Sequence, residues 1–334
     1  MSATRKTALA VGLAFALLGP GPILAQDWPA PSAEPPPSEA PQAAQRPPKP
    51  IPPQAFRTPE EGFAALADAI RAHDERRLLR VLGGEARRLV RSGEPAVDRA
   101  ARDRFAAAHA ERAEILYMTP YYTVLEVGDD RWPFPIPLIR PAGHAGRWRF
   151  DARQGVQELL DRRIGRNELD TIEVLRAIVA AQDEYARTAG RQGAFRAYAR
   201  RFFSTPGTRN GLYWPARAGE PESPLGPLVA AASGGGYGRG DGSPRPFHGY
   251  LFRILEAQGP AAPGGAMDYV VGGQMIGGFG VLAVPAEYGA TGVQTFMASH
   301  AGVVYQRNLG PDTGRAARGI KAFDPEPGWE VVPE

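Results

Sequence analysis

The segment NELDTIEVLRAIVAAQDEYART, residues 167–188, decides how the C-terminal half of the chain folds. Its apolar side chains recur at helical spacing and form one broad stripe, and its charged side chains mark the opposite side. The stripe consists of Leu169, Ile172, Leu175, Ile178 and Val179. This spacing predicts one long amphipathic helix whose apolar face needs a partner.

Five short segments further along the chain can supply that partner. Each is rich in β-branched and aromatic residues and is bounded by glycine or another turn residue, which is typical of strands in an antiparallel sheet. They are residues 249–255, 267–271, 279–285, 292–299 and 302–307. One helix packed on one meandering sheet is a stable layer arrangement. We therefore predict an α+β domain over residues 164–334.

The region before it, residues 56–163, shows a helix start followed by strand patterns. Thr58 can cap a helix, Pro59 suits its first position, and Glu61 can reach back to the cap. Further helices are expected around Leu78, Leu79 and Leu82 and near 95–112. Strands are expected at 121–127, 132–139 and 146–151, with a turn at 128–130. Helices followed by an antiparallel sheet predict a second α+β domain. This order resembles the cone of nuclear-transport-factor-like domains, in which the first helices cover a curved sheet.

The N-terminus has the pattern of a secretory signal peptide at residues 1–26. Arg5 and Lys6 form a short cationic region, residues 8–18 are apolar, and the small residue Ala25 marks a cleavage site. Residues 27–55 are dominated by proline, alanine and serine and predict a disordered linker, because proline removes amide donors and favours extended conformations. We expect a periplasmic or secreted protein.

Composition excludes several classes of site and partner. The chain has 39 basic and 36 acidic residues, and loss of Arg5 and Lys6 would leave a net charge near +1, which argues against a nucleic-acid partner. It has no cysteine, which excludes disulfides, thiolate metal sites, cysteine nucleophiles and a lipid-modified cysteine. No later segment has 18 consecutive apolar residues, so we expect no membrane span in the mature chain.

A search for catalytic or metal-binding residues identifies none. The five histidines lie far apart in sequence, at positions 73, 109, 144, 248 and 300. We therefore expect them to be isolated surface or loop residues. Ser233 lacks the glycine two positions earlier that a nucleophile elbow needs, since Ala231 stands there. We expect the acidic residues in turns and loops to be solvated. They are Asp129, Asp130, Asp312, Asp324 and Glu326. We predict no metal and no cofactor.

Aromatic side chains are the remaining candidates. Residues 204–248 are rich in glycine and proline and poor in regular pattern, and such long loops are uncommon unless they are functional or disordered. Aromatic side chains in and around this segment could line a groove for a glycan, a peptide or a peptidoglycan fragment. The candidate ligand-binding residues are Tyr213, Trp214, Tyr237, Tyr250 and Tyr288, with Phe247 beside them. The alternative is ordinary packing in the core.

Several residue strings resemble a bacterial exported family that is catalogued as a domain of unknown function. They are WPFPIP (132–137), GRNEL (165–169), STPG (204–207), GLYWP (211–215), SPLGP (223–227) and NLGPDT (308–313). The resemblance spans about residues 56–333 and implies no activity.

The C-terminal half is also similar to the soluble head of pilin-like and pseudopilin proteins. The similarity rests on LRAIVAAQ (175–182) with Tyr185, PAEYG (285–289), Thr295-Phe296 and AGVVY (301–305). It implies a long helix lying across an antiparallel sheet.

These observations predict an exported protein that acts by binding. We expect a non-catalytic binding or scaffold component of the bacterial cell envelope whose partner is an envelope protein or polymer. The alternative is a hydrolase that acts on an envelope polymer with a site between the two domains. Enzymatic activity and oligomeric state are left open.

Overall fold

The computed structural model of the chain describes residues 51–91, 95–141, 146–192, 195–216, 219–229 and 246–333. The predicted signal peptide and residues 27–50 of the predicted linker lie outside this range. The chain divides into two compact units, Met1–Leu159 and Leu160–Glu334. Both contain helices and antiparallel sheets, so the predicted α+β class is confirmed.

The first helix of this unit begins where its capping signal predicts. The Thr58 Oγ1 accepts a hydrogen bond from the Glu61 N–H at 3.3 Å, and the Glu61 carboxylate accepts one from the Arg57 N–H at 2.9 Å. Asp74 caps the second helix by accepting from the Arg77 N–H at 2.9 Å. The helices are α1 (Pro59–Arg71), α2 (Glu75–Leu82), α3 (Arg87–Val90) and α4 (Pro95–Glu111), with a 3-10 turn at Gly84–Ala86.

Residues 51–55 of the predicted linker are part of this unit. The Ile51 carbonyl accepts a hydrogen bond from the Gly84 N–H at 2.8 Å, and the Gln54 N–H donates to the Arg80 carbonyl at 3.0 Å. The folded chain thus begins before Phe56, because these backbone groups find partners on the segment that follows them.

An antiparallel sheet completes the first unit. Its strands are β1 (Ala113–Thr119), β2 (Tyr122–Val127), β3 (Trp132–Pro133), β4 (Leu138–Ile139) and β5 (Arg149–Phe150), in the order β1-β2-β4-β5 with β3 also paired to β2. The inner face and the helices enclose one core that includes Phe63, Leu66, Leu125, Leu138 and Phe150. Strand β1 was not predicted, because it follows α4 without a turn residue to mark the change.

Helix α5 (Ala152–Arg187) is longer than the sequence predicts, since it begins at Ala152 rather than at residue 167. The Asp151 carboxylate starts it by accepting hydrogen bonds from the N–H groups of Arg153 and Gln154, both at 3.1 Å. Gly155 and Gly165 weaken the helix pattern in this stretch, which explains the missed residues. The division between the two units falls within this helix.

The second unit is built on a five-stranded antiparallel meander. Its strands are β8 (Tyr250–Leu255), β13 (Gly280–Pro285), β14 (Gln294–Ser299), β15 (Val304–Asn308) and β16 (Glu330–Val331), paired in that order. Two-residue strands form small hairpins beside it: β6 (Arg191–Gln192) with β7 (Phe195–Arg196), β9 (Ala257–Gln258) with β10 (Met267–Asp268), and β11 (Val270–Val271) with β12 (Gln274–Met275). Four of the five main strands were predicted to within two residues. The fifth, β16, was not predicted, and the predicted strand at 267–271 is wrong as a member of this sheet because β10 and β11 lie in the small hairpins.

The meander is covered on both faces. Leu175 and Ile178 of α5 share one core with Val281 and Phe296, so the apolar stripe packs on the sheet as predicted from Ile172 onward. Leu169, which was predicted to belong to the stripe, is 66% exposed. The other face carries a second core of Leu255, Leu282, Met297, Ala317 and Phe323, to which a short C-terminal helix (Thr313–Gly319) contributes. This second covering layer was not predicted. Within the described residues, no helix combines the length and apolar character that crossing a bilayer requires.

Candidate binding surface

The loop at residues 199–215 is fastened to the last turns of α5 by side chains of the helix. The Gln182 amide is fully buried, donates from Nε2 to the Ala199 carbonyl and accepts at Oε1 from the Ala199 N–H, both at 2.8 Å. The Tyr185 hydroxyl donates to the Arg209 carbonyl at 3.0 Å. Because buried amides are costly unless paired, these bonds fix where the loop lies.

Inside the loop, the two arms are paired with each other. The Ser204 N–H donates to the Tyr213 carbonyl and the Tyr213 N–H donates to the Phe202 carbonyl, both at 2.8 Å. Gly211 lies against the opposite arm, where a Cβ atom would be 2.8 Å from the carbonyl carbon of Phe203 and from the nitrogen of Ser204. The close approach therefore requires glycine.

The tip of the loop is closed by polar side chains. The Asn210 Oδ1 accepts from the Thr205 N–H at 2.9 Å, and the Thr208 hydroxyl donates to the Thr205 carbonyl at 2.8 Å. Arg201 donates from Nη1 to the Thr205 hydroxyl at 3.0 Å. The loop is thus rigid through internal bonds, as a compact surface loop that carries a site should be.

This rigid loop exposes an aromatic ring. Phe203 is 59% exposed, and its ring meets the half-buried ring of Tyr213 edge to face at a centroid distance of 5.8 Å. Arg201 and Thr205 stand two residues away on either side, and both are exposed. We call Arg201, Phe203, Thr205 and Tyr213 the Phe203 surface. It combines aromatic area with guanidinium and hydroxyl donors.

Trp214 lies beneath this loop and not on its outside. Its ring is 8% exposed, belongs to the core of the second unit, and lies under the Arg209 guanidinium at 5.5 Å from the ring centroid. Within the described residues its indole Nε1 has no hydrogen-bond partner. Arg209 also pairs with Glu220 at 3.3 Å, which fixes the guanidinium over the ring.

Two of the other predicted ligand-binding residues lie elsewhere. Tyr250 is fully buried and donates from its hydroxyl to the Gln294 carbonyl at 2.8 Å, and burial, with the nearby Glu168, raises its pKa well above the usual value. Tyr288 is half-buried in the loop between β13 and β14. Tyr237 lies outside the described residues. The structure thus brings together Tyr213 and Trp214, and ligand contact by any of the five stays a prediction.

Phe203 was not among the predicted residues. It stands in the string RFFSTPG at 201–207, where two adjacent aromatic residues precede a turn. Phe202 packs against the core while Phe203 is exposed. The pair of aromatics before the turn was the available signal, but the sequence does not say which ring faces outward.

A second polar cluster surrounds His248, which the sequence analysis treated as isolated. Residues 247–250 form a two-residue hairpin turn, since Phe247 and Tyr250 exchange backbone hydrogen bonds of 2.8 and 2.9 Å and φ is +47° at His248 and +75° at Gly249. Such type I′ turns favour Asn-Gly. The His248 Nδ1 lies 2.8 Å from Oδ2 of Asp170 on α5, so the expectation of an isolated histidine is wrong here.

Polar residues of α5 next to Asp170 bind the backbone of the loop between β13 and β14. Glu168 accepts from the N–H groups of Val293 and Gln294 at 2.8 and 2.9 Å. Asn167 donates to the Thr291 carbonyl at 2.8 Å. The polar side of the helix is therefore a structural contact here and not merely a solvated face.

The remaining histidines that the structure describes form no common site. His73 lies 3.2 Å from Asp103, burial and the nearby Arg71 lower the pKa of His109, and His300 packs against the rings of Tyr269 and Phe279. His144 lies outside the described residues. In the part of the chain that the structure describes, no group of three or more histidine, aspartate or glutamate side chains could hold a metal ion.

The comparison with protein families matches one model, described as a protein of unknown function (DUF2950), over residues 53–332. The match covers most of both units. No curated protein and no solved structure matches the chain. The nuclear-transport-factor-like and pilin-like resemblances stay predictions.

Proposed function

We infer the function from the premise that this chain belongs to the DUF2950 family of proteins of unknown function. We propose that it is a non-catalytic binding or scaffold component of the bacterial cell envelope and that it contacts an envelope protein or polymer through the Phe203 surface. One observation supports this proposal above the others: a phenylalanine ring that is 59% exposed on a loop held by buried hydrogen bonds.

A loop that is ordered before binding lowers the cost of binding. Binding costs conformational entropy when loops and side chains must be ordered, and a loop that is already fixed avoids most of that cost. Aromatic rings offer a large contact area at a small cost in side-chain entropy, and they are enriched where binding energy concentrates. Arg201 beside the ring supplies donors for hydroxyl, carboxylate or phosphate groups of a partner.

The test compares two exposed phenylalanines of the same unit. Phe195, on β7, is 66% exposed and provides the matched control for Phe203. The mature chain is incubated with purified cell-wall polymer and, separately, with envelope membrane protein, and bound protein is measured by sedimentation. We expect Phe203→Ala to weaken retention at least about tenfold, as loss of a binding hot spot does. Phe195→Ala should be retained like the wild type.

Equal retention of Phe203→Ala and the wild type would show that the partner does not bind through the Phe203 surface. Circular dichroism and the unfolding midpoint of both variants show that the loop substitution leaves the fold intact. Absence of specific retention on either material would contradict an envelope partner.

Export is a separate part of the proposal, which the pattern of residues 1–26 supports. Expression of the full chain followed by fractionation and N-terminal sequencing tests it. We propose that the mature protein begins at Gln26 and appears in the periplasm or the medium. A cytoplasmic protein that retains Met1 would contradict it.

A hydrolase acting on an envelope polymer is the second candidate, and the His248–Asp170 pair favours it. A carboxylate on Nδ1 orients an imidazole for acid–base work through Nε2. The informative variant is His248→Asn, because asparagine suits the left-handed turn position and removes the imidazole. Release of soluble fragments by the wild type and not by His248→Asn would favour the hydrolase, whereas no release by either would favour binding alone.

A further inference from the structure

The hairpin of β1 and β2 in the first unit has an uncharged and largely apolar tip. The eleven residues 115–125 (ILYMTPYYTVL) contain no charged side chain, although 22% of the chain is charged. At the turn of the hairpin Tyr117, Met118 and Tyr121 are each exposed over more than half of their surface. Single apolar side chains on a surface are ordinary, but a cluster of large ones marks a contact site.

The two residues of the turn, Pro120 and Tyr121, have partners within the protein for all their backbone groups. Pro120 has no N–H, and its carbonyl accepts from Nη2 of Arg140 at 3.0 Å. The Tyr121 N–H donates to the Thr119 Oγ1 at 3.2 Å, and the Tyr121 carbonyl accepts from the Arg140 N–H at 2.9 Å. Unpaired N–H and C=O groups are costly in an apolar environment, so this turn can leave water more easily than an ordinary loop.

Two side chains of opposite charge contact the rings at the tip. The Arg140 Cζ lies 4.9 Å from the ring centroid of Tyr121 and 5.3 Å from that of Trp148. The Tyr117 hydroxyl donates to Oε1 of Glu60 at 2.8 Å. One basic and one acidic group favour neither an anionic nor a cationic partner. Tyrosine rings beside charged groups are typical of the membrane–water interface, where the ring is apolar and the hydroxyl stays hydrated.

The size of the tip favours a bilayer over a protein as its partner. A tyrosine side chain can bury about 200 Å², so three large side chains that are a little more than half exposed offer on the order of 400 Å². A stable interface between two proteins needs about 800 Å² from each partner. A bilayer needs no matching surface, because a segment that enters only the boundary between headgroups and acyl chains binds through its apolar area.

We propose that this tip, residues 117–121, docks on the interface of a lipid bilayer. Its uncharged side chains enter the boundary between headgroups and acyl chains, while Arg140 and Glu60 stay among the hydrated headgroups. The contact does not depend on lipid charge, since the tip itself carries none. The tip belongs to the first unit and is independent of the Phe203 surface and of the function proposed for it.

Met118→Glu tests the docking, because it places a charge on the most exposed side chain of the tip and removes neither tyrosine. The mature chain is sedimented with vesicles of phosphatidylcholine and with vesicles of equal parts phosphatidylcholine and phosphatidylglycerol. We expect the wild type to bind both, and Met118→Glu to bind at least about tenfold more weakly, since a charge resists leaving water. Met267→Glu adds the same charge at an exposed position of β10 and should bind like the wild type.

Absence of wild-type binding to both kinds of vesicle overturns the proposal, as does equal binding by Met118→Glu. Binding only to phosphatidylglycerol vesicles that high salt abolishes would indicate attraction by arginine side chains and would also overturn it. A concentration-dependent dimer in lipid-free buffer that Met118→Glu abolishes would assign the tip to a second copy of the chain instead.

Tryptophan at the same position reports insertion directly. Emission of Met118→Trp is compared with that of the wild type, which shares its five native tryptophans. We expect a shift of the added emission to shorter wavelength when vesicles of either composition are present, because the indole moves from water into an apolar environment. Met267→Trp should show no such shift. An unshifted emission from vesicle-bound Met118→Trp contradicts entry of the tip into the bilayer.

Discussion

Gln182 and Ala199 are joined by two hydrogen bonds of 2.8 Å, one from each end of the buried Gln182 amide to the backbone of Ala199. A side chain of α5 thereby pairs with both backbone groups of Ala199, as a neighbouring strand would. The loop that exposes Phe203 begins at this point. Its geometry follows from a helix residue that, by its polarity, would be expected on the surface.

Replacing Gln182 by alanine should therefore destabilise the second unit. The change leaves the buried N–H and C=O groups of Ala199 without partners, and each such loss costs about 1–3 kcal/mol. We expect the free energy of unfolding to fall by about 2–5 kcal/mol in chemical denaturation. Glu173→Ala, at an exposed position of the same helix, should change it by less than about 0.5 kcal/mol. A Gln182→Ala variant as stable as the Glu173 control would contradict the anchoring role.

Gly211→Ala tests the close approach of the two loop arms. The new methyl group would lie 2.8 Å from backbone atoms of Phe203 and Ser204, so the arms must separate. We expect a loss of about 1–3 kcal/mol, typical of overpacking, together with weaker partner binding because the Phe203 ring moves. Gly314→Ala meets no atom within 4 Å and serves as the control, with unchanged or slightly higher stability. Urea unfolding of both variants measures the difference.

The turn at His248 predicts that an asparagine variant is more stable than a valine variant at this position. Asparagine suits φ near +47°, so the relief of strain in His248→Asn should offset most of the loss of the partly exposed Asp170 pair. We expect a stability change within about 1 kcal/mol. A β-branched residue is strongly disfavoured there, and His248→Val should cost about 2 kcal/mol or more. Thermal unfolding with equal midpoints for the two variants would show that the backbone at His248 carries no strain.

Buried tyrosines predict a loss of stability at alkaline pH. Burial raises the pKa of Tyr269 to about 12, and its hydroxyl donates to Gln258 at 2.8 Å. In the unfolded chain the phenol ionises near its usual pKa of about 10, so the unfolded state releases its proton first. This contribution to stability is complete below about pH 10 and is lost as pH rises toward about 12.

Urea unfolding from pH 8 to pH 11 measures this effect. We expect the free energy of unfolding to decline above about pH 10, and Tyr269→Phe to decline less steeply over the same interval. The variant should also be less stable at pH 8 by about 1 kcal/mol because it lacks the hydrogen bond to Gln258. An identical alkaline slope in the variant would contradict the role of Tyr269.

Sequence reasoning predicted the elements whose signals are local. The cap at Thr58, most of the apolar stripe and four strands of the meander rest on neighbours within a few residues, and they appear in the structure. Leu169, at the start of the predicted stripe, is exposed instead. The same reasoning missed β1 and the first turns of α5, where glycines or the lack of a turn residue weaken the local pattern. For the candidate site it singled out Tyr213 within the predicted loop at 204–248, but not Phe203, which precedes that segment.

The sequence by itself determined the α+β class, the long helix with its sheet partner, and the absence of cysteine chemistry. These features follow from apolar periodicity and composition, which depend only on residues near one another in the sequence or on their number. The tertiary structure alone decided that Phe203 is exposed while Tyr250 is buried, and that His248 meets Asp170. It also decided that Gln182 anchors a loop. These relationships depend on contacts between separate elements, and only the packing of helix, loop and sheet brings the partners together.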